Sequence, residues 1–121
     1  MIERYSRKEI KSIWEEYNKY YIWLKIEITA AEAMEKLKII PRGVAKKVKS
    51  KAKINVKRIL EIENKVKHDI IAFLTSITEK SGKQAKYLHK GMTSSDVLDT
   101  CFNIQLKQSG EILLKDIDEL L

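Results

Sequence analysis

A chain of 121 residues with 44% hydrophobic and 34% charged residues has material for one modest core and is too apolar to stay disordered. Four glycines and one proline argue against an all-β fold, which needs a turn every ~8–12 residues, and a single cysteine, Cys101, excludes an internal disulfide. The net charge of +7 sits in one place: Arg42 to Leu60 holds eight basic residues and no acid, leaving 16 basic against 17 acidic residues elsewhere.

In chain order, Ser6 and Glu9 have the spacing of a capping box. Ile10, Ile13, Trp14 and Tyr17 follow at one-face helical spacing, continuing through Tyr21, Leu24, Ile28 and Ala31 with a kink expected near Asn18. The pattern fades before Pro41, which ends an extended link or opens the next helix. Arg42 to Ala52 reads as a short exposed helix. Asn55 caps another that carries Ile59 and Leu60 inward. A further helix starts near His68–Asp69, with Ile70, Ile71, Leu74 and Ile77 as its apolar face, and Gly82 ends it in the left-handed conformation. Residues 83–92 read as a loop turning at Gly91. Thr93 or Ser94 caps a last helix, with Val97, Cys101, Ile104, Leu113, Ile117 and Leu120 at helical spacing and no stop signal before Leu121. The fold expected is all-α.

No run approaches the ~18 apolar residues of a membrane span, and no apolar stretch follows Met1–Arg4, so a cytoplasmic protein without a signal peptide is expected. The basic segment admits two readings, a polyanion-binding module and a solvated helix face. Lys outnumbers Arg 20 to 4 and the segment lacks aromatic residues for base stacking. The solvated face is therefore preferred, and nucleic acid is not the expected partner.

Two distant histidines and one cysteine do not make a metal site, and neither a Gly-rich phosphate loop nor a Gly-x-Ser-x-Gly elbow occurs. Three segments can carry chemistry. Arg4–Tyr5 offers a guanidinium fork for a phosphate. Lys67–His68–Asp69 places an imidazole between a cation and an anion, suited to proton transfer near neutral pH. His89 to Asp96 puts three hydroxyls, Thr93, Ser94 and Ser95, at a helix start behind Gly91, where free N–H groups and the helix dipole favour an anion.

These segments carry a family resemblance. Met1-Ile2-Glu3-Arg4-Tyr5-Ser6-Arg7 resembles the N-terminus of bacterial and archaeal adenylosuccinate lyases. Arg58-Ile59-Leu60-Glu61-Ile62-Glu63, followed by His68-Asp69 and Ala72-Phe73, resembles the family's next shared stretch. His89 to Thr100 resembles its Thr-Ser-x-Asp segment, including Val97 and Asp99-Thr100. The matches occur in the family's order. Thr93-Ser94-Ser95-Asp96 alone would indicate only the wider aspartase/fumarase superfamily, which includes argininosuccinate lyase.

The resemblance implies an N-terminal helical domain over residues 1–93 and, over residues 94–121, the first part of a long helix leading into a central bundle domain. It implies elimination of fumarate from adenylosuccinate to give AMP, and from the related succinyl-carboxamide ribotide, by a homotetramer without metal or organic cofactor. By motif, Arg4 and Tyr5 would bind the substrate phosphate with His89 nearby. Lys67, His68 and Asp69 would line the substrate, and Thr93 and Ser94 would hold its succinyl part. His68 would polarise or protonate the substrate. The family's principal base and acid would lie beyond residue 121, so this chain alone is expected to be inactive. Lys67 stands where the family often has Arg, which keeps the charge and loses the fork. The alternative, from the basic segment alone, is a stand-alone helical module binding nucleic acid or another polyanion.

Overall fold

A computed structural model describes residues 2–121; of the N-terminal motif, Met1 lies outside the described residues. Apolar residues at helical spacing, few chain breakers and a scatter of caps give six α-helices: α1 (Lys8–Ile13), α2 (Glu16–Lys36), α3 (Val44–Lys51), α4 (Val56–Val66), α5 (Asp69–Ser81) and α6 (Ser94–Leu120). Two 3-10 segments, Glu3–Tyr5 and Gly82–Tyr87, precede α1 and follow α5, and no strand occurs among the described residues.

The helix α2 is the spine and packs against α1, α3, α4 and α6. Its buried stripe is Tyr20, Trp23, Glu27 and Ala31, at the i, i+3, i+7, i+11 spacing of one helical face. Phe73 of α5 lies parallel to Tyr20 at 6.0 Å and edge-on to Trp23 at 5.5 Å. Ile59 and Ile62 of α4, Val44, Ala45 and Val48 of α3, Ile70 and Ile77 of α5, and Val97 and Cys101 of α6 complete the core. The guanidinium of Arg58 grips both carboxylate oxygens of Glu79, at 3.0 and 2.6 Å, and ties α4 to α5 on the surface.

Several local expectations are corrected. No capping box joins Ser6 and Glu9: the Ser6 hydroxyl instead donates to the Ile2 carbonyl at 2.8 Å, and Arg7 stands at the α1 N-cap. The expected kink is a break, because the chain leaves helical geometry between Ile13 and Glu16. The Ile13 carbonyl exposed there accepts from the side-chain amides of Asn18 and Gln105, each at 2.8 Å, which meets the demand of a freed polar group near the core. The break re-phases α2, so Tyr17 and Tyr21 are exposed while Tyr20 and Trp23 are buried. Leu60 and Ile71, expected inside, are exposed; their neighbours Ile59, Ile70 and Phe73 take the interior.

The basic helix α3 is not fully exposed. Val44, Ala45 and Val48 are buried while Lys46, Lys47, Lys49 and Lys51 face solvent. Its N-terminus is held from α2, where the Glu35 carboxylate accepts from the N–H groups of Gly43 and Ala45 at 3.1 and 2.6 Å. Pro41 lies in the link ahead of α3. Gly82 ends α5 with φ 71° and ψ −159°, outside the left-handed helical region and in one that essentially only glycine occupies. The segment expected as a loop after it begins with the 3-10 turns that bury Ala85. Towards the end of α6, Leu113, Leu114, Ile117 and Leu120 are exposed, unlike Val97 and Cys101.

Candidate functional site

The three candidate segments occupy three different supports. Arg4 and Tyr5 lie on the first 3-10 turn, both exposed, with the guanidinium 4.8 Å from the Tyr5 ring centroid. Both side chains are open to solvent, so the guanidinium is accessible to a phosphate.

Lys67, His68 and Asp69 form the corner between α4 and α5. Lys67 closes α4 in the left-handed conformation at φ 55°, its N–H donating to the Glu63 carbonyl. His68 is the N-cap of α5. Its Nδ1 accepts, at a long 3.4 Å, from the Ile71 N–H and lies 3.5 Å from the Asp69 carboxylate. An accepting Nδ1 leaves the ring proton on Nε2, so the exposed edge of the imidazole presents an N–H. Lys67 and His68 are exposed. The corner therefore carries an exposed cation, an exposed imidazole and a half-buried carboxylate on three successive residues. Burial of Tyr20 beneath this region, reinforced by the charge of Glu16, raises its phenol well above the ordinary tyrosine range, with Glu63 and Asp69 contributing.

His89, Thr93 and Ser94 lie at the entry to α6. His89 has φ 59°, a backbone conformation uncommon for residues other than glycine. Its N–H donates to Glu27 Oε2 at 2.7 Å, and its Nδ1 lies 2.6 Å from Glu27 Oε1. The N–H of Met92 donates back to the His89 carbonyl at 3.3 Å, folding Lys90 and Gly91 into a turn that sets His89 just ahead of α6. Thr93 is the N-cap, and its N–H is taken by the Asp96 carboxylate at 2.8 Å. The N–H groups of Ser94 and Ser95 start the helix, where no earlier carbonyl within it can accept from them. A carboxylate or phosphate in front of this turn meets those donors, the neighbouring hydroxyls and the positive end of a 27-residue helix.

No hydrogen bond or ion pair among the described residues joins one of the three segments to another. A groove of about 730 Å³ between α2 and the α3–α4 link, lined by Tyr17, Tyr21, Leu24, Lys25, Lys49 and Lys53 among others, contains none of the candidate residues. Among the described residues no three His, Cys, Asp or Glu side chains converge as a metal site would require, and no helix is long and apolar enough to cross a membrane. Sequence reasoning missed Glu27. Its signal was an acid on the stripe Tyr20, Trp23, Glu27, Ala31, where a buried carboxylate needs a partner.

The fold defines a class. The chain superposes on a crystal structure of fumarate lyase from Mesorhizobium sp. BNC1 with a TM-score of 0.85, covering 93% of this chain and 27% of that one at 20% identity. It therefore has the all-α fold of the aspartase/fumarase superfamily. Within that class, the sequence is 44% identical over all 121 residues to the adenylosuccinate lyase of Staphylococcus saprophyticus. The adenylosuccinate lyase resemblance of the three motifs thus extends along the whole chain. The chain spans 28% of that relative's length. No protein-family model matches the chain.

Proposed function

We propose that the chain supplies part of the active site of an adenylosuccinate lyase, a homotetrameric cytoplasmic enzyme of purine synthesis. The observation that carries the reading is the 44% identity along the entire chain. The three anion-suited segments, each with residues open to solvent, add chemical support. In this reading residues 1–93 are a helical domain bearing substrate contacts, and residues 94–121 open a long helix that continues into a bundle. The exposed Leu113, Leu114, Ile117 and Leu120 on α6 are the apolar surface such a bundle would cover.

The reaction removes a proton from the carbon β to the leaving nitrogen. The C–N bond then breaks, an acid protonates the nitrogen, and fumarate and AMP separate; the succinyl-carboxamide ribotide is cleaved in the same way. Arg4 and Tyr5 hold the substrate phosphate with His89 beside it. Thr93 and Ser94 hold a succinyl carboxylate at the start of α6. Lys67, His68 and Asp69 line the substrate, and His68 polarises or protonates it through its Nε2 edge. The base and acid that complete the reaction come from outside these 121 residues, so the isolated chain does not turn over.

A chimera tests this reading. The matching segment of the Staphylococcus saprophyticus enzyme is replaced by this chain, and fumarate release from adenylosuccinate is followed by absorbance. Activity close to the parent enzyme is expected. A chimera that assembles as the parent does and releases no fumarate contradicts the proposal.

A further inference from the structure

Glu27 is a carboxylate in the middle of the core, its side chain fully buried on α2 between Trp23 and Ala31. A buried carboxylate is costly unless donors replace its lost water. Both of its oxygens face one residue, His89, 62 positions away: Oε2 takes the backbone N–H at 2.7 Å and Oε1 meets Nδ1 at 2.6 Å. This two-point grip fixes the backbone of His89 in its uncommon φ 59° conformation and the plane of its ring. The imidazole retains only 20% of its side-chain exposure. Nε2, across the ring from the grip, is the nitrogen left for a ligand.

We propose that Glu27 is a positioning residue for His89. It holds the proton on Nδ1 and turns Nε2 toward an anionic group bound ahead of α6. An ionised carboxylate can only accept, so with Oε2 taking the backbone N–H its buried Oε1 still calls for a donor, and Nδ1–H is the group within reach. With Nδ1–H committed to Glu27, Nε2 is the ring atom left to meet the anion, and in the imidazolium form it donates to a phosphate oxygen with its charge balanced from behind by Glu27. The arrangement is the reverse of that at His68, whose Nδ1 accepts from a backbone N–H. The identity of the anion as the substrate's phosphate rests on the function proposed above; the tautomer does not.

The first test uses the 121-residue chain itself. Its two histidines can be assigned by comparison with His68→Ala, and long-range 1H–15N correlation spectra report which ring nitrogen carries the proton. At a pH where both rings are neutral, His89 is expected as the Nδ1–H form. Glu27→Gln should move the proton to Nε2: its amide oxygen can still accept the backbone N–H, which turns the NH2 group toward Nδ1 and demands an acceptor there. A wild-type His89 protonated at Nε2, or a Glu27→Gln spectrum unchanged from wild type, overturns the positioning role. If Glu27→Gln does not fold, the wild-type spectrum decides alone. The second test is kinetic, in the lyase chimera: Glu27→Gln should raise KM for adenylosuccinate about tenfold while kcat changes far less, the mark of lost ground-state binding. A fall in kcat at unchanged KM overturns the phosphate assignment. An inactive wild-type chimera would count against the proposed function and leave the tautomer result standing.

Discussion

The two histidines of this chain show how differently one residue type can be supported. His68 caps the helix it begins, through one long local hydrogen bond, and stands exposed at a corner. His89 is held at two points by a buried carboxylate from the central helix, with its backbone drawn into a left-handed turn. A corner of the first kind can be altered with little effect on the fold and a direct effect on any substrate it touches. A turn of the second kind cannot lose its partner without disturbing the interior.

The comparison breaks most severely if its common floor is removed. Phe73 lies on α5, the helix that His68 caps, and packs on Tyr20 and Trp23 of α2, one turn before Glu27. Phe73→Ala should cost roughly 3–5 kcal/mol, seen as a fall in the urea midpoint, because a fully buried ring leaves a cavity that closes only in part. His89→Ala comes next. It leaves Glu27 buried with Oε1 unpartnered and only the residue-89 N–H still donating to Oε2, and should cost roughly 3 kcal/mol, the low end for breaking a buried pair. His68→Ala should cost no more than about 1 kcal/mol, the loss of an N-cap. Equal losses at the two histidines in chemical unfolding would contradict the contrast.

Two smaller effects sharpen it. Glu35 resembles Glu27 in serving backbone N–H groups, but near the surface. The N–H groups of Ala45 and Gly43 hold its carboxyl below the usual carboxylate range. A group whose folded value is lowered stabilises above its unfolded value and loses that stabilisation as the pH falls through the folded one. Part of the acid sensitivity that sets in as the pH falls below the ordinary glutamate range should therefore disappear in Glu35→Gln, as followed by circular dichroism. Cys101 is buried on α6, and burial pushes its thiol above the ordinary range. It should react with a thiol reagent only as fast as the chain unfolds; rapid labelling of the native protein would show that α6 separates readily from α2.

Local signals were well expressed in the sequence. Asn55 does cap α4, accepting from the Arg58 N–H at 3.0 Å, and α6 begins at the Thr93–Ser94 boundary expected from its hydroxyls. Signals that depend on distant residues were not. The break after Ile13 is held by Gln105, 92 residues away, and that break sets which side of α2 is buried. Ser6 and Glu9 have capping-box spacing, yet the chain closes a 3-10 turn on Ile2 instead, since a short turn competes for the same hydroxyl. The candidate site residues could be picked out in the sequence by residue type and by the family resemblance, while their placement on three separate supports could not. The support of His89 was not, because nothing local to residue 89 points to residue 27.

In the proposed function this chain contributes substrate-handling residues to an adenylosuccinate lyase. That contribution is tested most directly by fumarate release from the chimera carrying His68→Ala beside the same chimera carrying Lys49→Ala. Lys49 is exposed on α3 and far from the candidate segments in sequence. A loss of at least about a hundredfold in kcat is expected for His68→Ala, the scale of one acid–base or polarising group, with near-parental activity for Lys49→Ala. Equal activities in the two variants would contradict it.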